Sequence, residues 1–142
     1  MRRLAAEKSA AALAIVKDPA AVILGADTTV VVDGDILGKP ADAAESAEML
    51  RRLSGRAHQV LTGVSLRRGA FEIGRVESTT VHVVPLTADE VAWYVASGEG
   101  GDKAGAYAIQ GLASRFVQRI DGSYSNVVGL PVACVVELLR NV

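Results

Sequence analysis

An α/β fold, with a mixed central β-sheet flanked by helices, is what this sequence predicts, and three observations predict it. Half of the 142 residues are hydrophobic but only 4% are aromatic, so a core has to be built from Ala, Val, Leu and Ile. Helical segments opened by capping residues alternate with β-branched runs. Glycine-bearing turns separate them, several as hairpin-length connections, which mixes hairpin-joined strands with helices. At 142 residues the chain reads as a single domain over residues 1–142, large enough for a sound core.

Each element has its own signal. Residues 2–17 read as an Ala-rich helix ended by Asp18-Pro19. The run 21–32 is apolar and β-branched on both faces, which predicts a strand central in its sheet. Asp33-Gly34-Asp35 turns the chain into a short return strand at Ile36 and Leu37. Asp42 with Glu45 forms a capping-box pattern, opening a helix to about Leu53 that Ser54-Gly55 closes. Strands follow at 59–67 and 71–84, joined around Gly69. Thr87 with Glu90 is a second capping box, and its helix runs through Trp93 and Tyr94 to Ser97, with Gly98 as the stop. Residues 99–111 are glycine-rich and aperiodic, so they form a loop with at most short structured pieces. Residues 115–120 alternate like a strand, Asp121-Gly122-Ser123 turns, and Pro131 marks the start of a last helix. A chain that opens on a helix leading into a central strand is unusual for this class, and predicts that a segment belongs before Met1.

Composition excludes several functions. The formal net charge is −1 with no basic block, so nucleic acid is not an expected partner, whereas a small anion needs only one or two local lysines. Cys134 is the single cysteine and lies in an apolar run, which favours a reducing, cytoplasmic setting and a buried small hydrophobe. Glu7 and Lys8 interrupt what would otherwise mimic a signal peptide, and no segment is long enough to span a bilayer, so no membrane partner is expected. There is no G-x-x-x-x-G-K-[ST] and no G-x-G-x-x-G after a strand, which removes the P-loop and dinucleotide routes.

Chemistry concentrates in three segments. Asp27 interrupts an apolar strand, where a carboxylate is costly unless paired, bound to metal or facing a cleft. It either holds a divalent cation, accepts a proton from attacking water, or does both. Thr28 points to the opposite face of a regular strand. Lys39, between Gly38 and Pro40, holds a phosphate or is a solvated turn lysine. Asp102 and Lys103 are a surface ion pair or the head of a run, Lys103-Ala104-Gly105-Ala106, that admits a ligand closely. Gln110 carries donor and acceptor on one amide, suited to a base edge or to supporting its own loop. His58 and His82 read as satisfied, partly buried imidazoles, with no metal pair between them.

From residue 4 to about 140 the chain resembles the Maf family of nucleoside triphosphate pyrophosphatases. Leu4-Ala5-Ala6-Glu7-Lys8 looks like that family's first helix. Gly25-Ala26-Asp27-Thr28, Gly38-Lys39-Pro40, His58-Gln59-Val60-Leu61-Thr62-Gly63, Ser78-Thr79-Thr80-Val81, the 102–111 run and Ser125-Asn126-Val127-Val128-Gly129-Leu130-Pro131 match in order. The resemblance implies a Maf/inosine-triphosphatase-like fold and hydrolysis to the monophosphate and pyrophosphate with a divalent cation, Mg2+ or Mn2+. It implies Asp27 as catalytic proton acceptor and metal ligand, Lys39 and Lys103 on the phosphates, and Thr28 and Gln110 in base choice. Thr after the Asp, with Gln in Ala-Ile-Gln-Gly, resembles the branch acting on dTTP and UTP. That family's opening strand and Ser-x-Ser-Pro-Arg-Arg-like loop have no counterpart here, so the sequence is expected to be N-terminally truncated relative to the family. The edge so exposed predicts a homodimer, and the alternative function is a catalytically impaired, nucleotide-binding regulatory protein.

Overall fold

The computed structural model describes residues 1–142. It contains helices α1 (Arg2–Ile15), α2 (Ala43–Leu53), α3 (Ala88–Ser97), α4 (Tyr124–Val128) and α5 (Val132–Leu139), and strands β1 (Ile23–Val32), β2 (Asp35–Leu37), β3 (Ala57–Arg68), β4 (Phe71–Val83) and β5 (Val117–Asp121). The strands form one sheet in the order β2-β1-β3-β4-β5, so the α/β class holds. The β1–β2 and β4–β5 pairs are antiparallel, and only two residues join β3 to β4, a connection that serves antiparallel neighbours. Asp33 and Gly34 both take positive φ, 52° and 78°, as the tight β1–β2 hairpin turn demands.

Capping follows the sequence closely. The Asp42 side chain accepts from Glu45 N, and Thr87 with Glu90 forms a reciprocal capping box at α3, which ends on left-handed Gly98. Three differences stand out. Strand β1 lies inside the sheet between β2 and β3, as expected, but β2 reaches only Val30–Val32 of it and Leu24 is exposed, so the apolar run is not buried on both faces. Arg115 and Phe116 belong to a 3-10 turn (Leu112–Phe116), and β5 starts only at Val117. Residues 124–128, between the turn at 121–123 and Pro131, form a short helix that the sequence pattern does not predict; Ser123 caps it by accepting from Asn126 N at 3.2 Å, and one helical turn is too short to show apolar periodicity.

The chain divides into two compact units, and β1, β3 and β4 each contribute to both. The first comprises Met1–Thr28, Leu61–Ser78 and Ser123–Val142. Its core joins Val64 and Leu66 of β3 to Cys134, Val135 and Leu138 of α5. Helix α1 buries only Ala5 and Ser9, and it reaches the strands through glycine: a Cβ on Gly25 would overlap the Ala5 carbonyl oxygen and stand 2.7 Å from Ser9 N. Polar contacts complete its attachment. Ser9 Oγ lies 2.8 Å from Ser65 Oγ, Arg67 donates to Ser9 Oγ and Ala6 O, and Arg2 donates to Glu72 at 2.7 Å.

The second unit comprises Thr29–Val60 and Thr79–Gly122. Helices α2 and α3 pack on one another, with Leu50, Leu53, Tyr94 and Phe116 buried and the Tyr94 and Phe116 rings edge to face at 6.0 Å. Full burial of a side chain such as Leu53 stabilises by about 1.5–3 kcal/mol.

Candidate functional site

In the first unit, Asp27 follows Gly25 by two positions on β1, so its side chain belongs to the face on which Gly25 receives α1. The close approach over Gly25 brings Lys8 to that carboxylate. Lys8 Nζ donates to Asp27 Oδ1 at 3.1 Å and to Ala26 O at 3.0 Å. The Asp27 side chain is 18% exposed and the Lys8 side chain 57%. Asp27 is therefore a half-sheltered carboxylate with an ammonium on one oxygen. Sequence reasoning missed Lys8 as a site residue: it served only to break a signal-peptide-like run and as part of the first-helix resemblance. A lysine in an Ala-rich helix carries no local sign of its partner; the only available signal was the glycine two residues before Asp27, which allows a helix so near.

Thr28 faces away from Asp27, and its hydroxyl is engaged. Its Oγ1 lies 2.9 Å from Thr62 Oγ1 and 3.2 Å from Gly129 O, while Thr62 Oγ1 lies 3.3 Å from Asn126 O. Two hydroxyl protons serve these three contacts, so no more than two are made at once. Thr28 thus fastens the segment 125–129 to the strand.

The second unit holds Lys39, Lys103 and Gln110. The Gly105 N–H donates to Gly38 O at 3.2 Å, which brings the Gly38-Lys39-Pro40 and Lys103-Ala104-Gly105 segments together by backbone. Gly105 and Ala106 both have positive φ, 71° and 65°, a left-handed pair that is unusual at alanine. Lys39 is exposed. Lys103 is partly exposed, with Nζ 3.3 Å from Asp102 Oδ1, a surface pair of small energetic weight. Gln110 is exposed at the end of the buried run 105–109. Asp27 and Thr28 belong to the first unit and these three residues to the second.

His58 is 3% exposed, with Nε2 2.6 Å from the Tyr107 hydroxyl and Nδ1 without a partner. Burial, aided by the charge of His82, pushes its pKa down to about 4, so it is neutral near pH 7. His82 lies on β4 with Nε2 3.0 Å from Asp121 Oδ2.

No group of three or more His, Cys, Asp or Glu side chains is placed to hold a metal ion. A protein-only cage is therefore not what these residues fit. A divalent cation carried by phosphates asks for only one or two carboxylates, and Asp27 offers one, with Lys8 bonded to Oδ1. No helix is long and apolar enough to cross a membrane.

Comparison with known proteins gives a consistent result. A family model described as Maf-like protein matches residues 1–142. A dTTP/UTP pyrophosphatase of Symbiobacterium thermophilum is 54% identical over 139 residues, covering 98% of this chain and 71% of that protein. One from Anaeromyxobacter sp. (strain Fw109-5) is 55% identical over 124 residues, covering 84% of this chain and 60% of the relative. One from Escherichia coli O157:H7 is 50% identical over 140 residues, covering 98% and 70%.

Proposed function

The chain belongs to the Maf-like protein family, and from that membership we propose that it is a nucleoside triphosphate pyrophosphatase acting on dTTP and UTP. The products are the nucleoside monophosphate and pyrophosphate. One observation carries the chemistry: the Asp27 carboxylate, sheltered on β1, has Lys8 on one oxygen. In this reading water attacks the α-phosphorus, its oxygen bonds to phosphorus, and the bond to the bridging α,β-oxygen breaks to release pyrophosphate. Asp27 takes the water's proton. Lys8, bonded to Oδ1, holds the carboxylate oriented beforehand. Lys39 and Lys103 offset charge on the phosphates; their exposure and the backbone bond joining their segments support that role.

Base choice falls to Gln110, whose amide oxygen accepts from the N3–H of uracil or thymine while its NH2 donates to O4. Thr28 contributes through the segment 125–129 that its hydroxyl holds, since that hydroxyl is already bonded. A divalent cation, Mg2+ or Mn2+, is part of the proposal, with Asp27 as its protein ligand; when bound it neutralises phosphate charge. A homodimer is also proposed, on the ground that β2 covers only Val30–Val32 of β1 and leaves the edge before it to a second copy. The single, buried, unpaired cysteine supports a cytoplasmic setting.

The test is release of pyrophosphate from dTTP and UTP by the purified chain, with and without Mg2+. Release that exceeds that from CTP and GTP is the expected result. A dTTP-dependent thermal shift with no release would replace this reading by nucleotide binding without turnover.

A further inference from the structure

Gln110 occupies the third position of a tight turn. Gly111 N donates to Ala108 O at 3.1 Å, closing residues 108–111, and the Gln110 side chain projects from that turn exposed, next to buried Ala108 and Ile109. A base-reading amide discriminates only if its donor and acceptor are held in place, and a glycine-bounded turn does not supply that by itself.

Two side chains outside the turn do. The Tyr94 hydroxyl accepts from Ala108 N at 3.0 Å, at the turn's first residue. The same hydroxyl donates to Glu99 Oε2 at 2.5 Å. Glu99 then accepts from the residues just past the turn, Leu112 N at 2.8 Å and Ala113 N at 3.3 Å. A Cβ on residue 111 would overlap the Glu99 carboxylate, so glycine there lets the carboxylate lie against the turn. One phenol and one carboxylate, bonded to each other, thus hold both ends of the turn. Tyr94 is 1% exposed. Burial pulls the Glu99 carboxyl up, but hydrogen bonds from Tyr94, Leu112 and Ala113 outweigh it and hold it below the ordinary carboxylate range. Glu99 is therefore an ionised acceptor near pH 7.

We propose that Tyr94 and Glu99 are positioning residues for Gln110, fixing both ends of its turn and thereby setting which base edge the protein selects. This rests on the reading that Gln110 contacts the base. Neither residue touches substrate; each acts through the backbone that carries the amide.

UTP and CTP are the probes, because they differ only in the donor and acceptor pattern of one base edge. The ratio of their kcat/KM values isolates base reading from phosphate binding. The same ratio is read from Kd values of their α,β-methylene analogues, which needs no turnover. Tyr94→Phe removes the hydroxyl while keeping the ring, and Glu99→Gln turns one acceptor oxygen into a donor facing N–H groups. Both should lower the UTP/CTP ratio by about tenfold, roughly one lost hydrogen bond. In a Gln110→Ala background the same changes should lower it no further. Thermal melting verifies folding, and Tyr94→Phe carries the test alone if Glu99→Gln fails to fold. If Gln110→Ala lowers the ratio while Tyr94→Phe weakens UTP and CTP equally, the positioning role is overturned and the base-reading role stands. If Gln110→Ala leaves the ratio unchanged, the base reading fails and this inference falls with it.

Discussion

Lys8 Nζ donates to Asp27 Oδ1 at 3.1 Å, across 19 residues of sequence, and the same ammonium caps the Ala26 carbonyl at 3.0 Å. Asp27→Asn removes the basic oxygen while keeping nearly the same shape. Turnover should fall by about 10²- to 10⁴-fold, the usual range for a positioned proton acceptor. The urea midpoint should barely move. Parent-like release of pyrophosphate by this variant would take Asp27 out of catalysis.

Lys8→Met separates two roles for the lysine. With its side chain 57% exposed, its ion pair contributes less than about 1 kcal/mol to stability. The fall in kcat should greatly exceed anything that stability loss explains, and measuring kcat and the unfolding midpoint on one preparation checks this.

Gly25→Ala and Gly38→Ala make a matched pair. A Cβ on Gly25 meets the backbone of α1, which cannot yield as a flexible side chain does, whereas a Cβ on Gly38 meets nothing within 4 Å. The first should cost about 1–3 kcal/mol, as overpacking does. The second should stay within about 0.5 kcal/mol, as surface changes do. Gly25→Ala should also lower kcat, because displacing α1 withdraws Lys8. Equal stability for the two variants would show that α1 is not seated on Gly25.

His58 gives the fold a pH dependence of definite sign. Its pKa is about 4 when folded, against an ordinary 6.5. Between those values the unfolded chain binds a proton that the folded chain excludes. Stability from this group is therefore intact above pH 6.5 and lost as pH falls toward 4. From pH 7 to pH 5 the loss is about 2 kcal/mol. Urea unfolding at the two pH values should show it, and His58→Phe should flatten that dependence.

Helices α2 and α3 were legible because their start signals are local: Asp42 bonds Glu45 N and Thr87 bonds Glu90 N within three residues. The hairpin at Gly69 and the stop at Gly98 were legible for the same reason. Asp27 also stood out, since a carboxylate in an apolar strand needs an explanation that its own neighbours fail to give. What stayed hidden depends on residues distant in sequence. Lys8 meets Asp27 only once α1 is seated, and Glu99 reaches Leu112 and Ala113 only once the 99–113 loop has closed. The 3-10 turn at 112–116 opens where that carboxylate accepts from Leu112 N and Ala113 N, a contact that alternation of side chains does not reveal, so alternation predicts a strand from Arg115 instead.

Helix α1 buries a single alanine and a single serine, and much of what else holds it is ionic or hydroxylic. Its opening free energy is therefore smaller than that of the sheet beneath, and amide exchange in residues 2–15 should run ahead of exchange in β3. Raising ionic strength weakens Arg2–Glu72 and Lys8–Asp27 together, since both pairs are partly exposed. Each excursion of the helix leaves Asp27 without its cation, so salt acts on the proposed chemistry by way of a helix that detaches while the sheet stays folded.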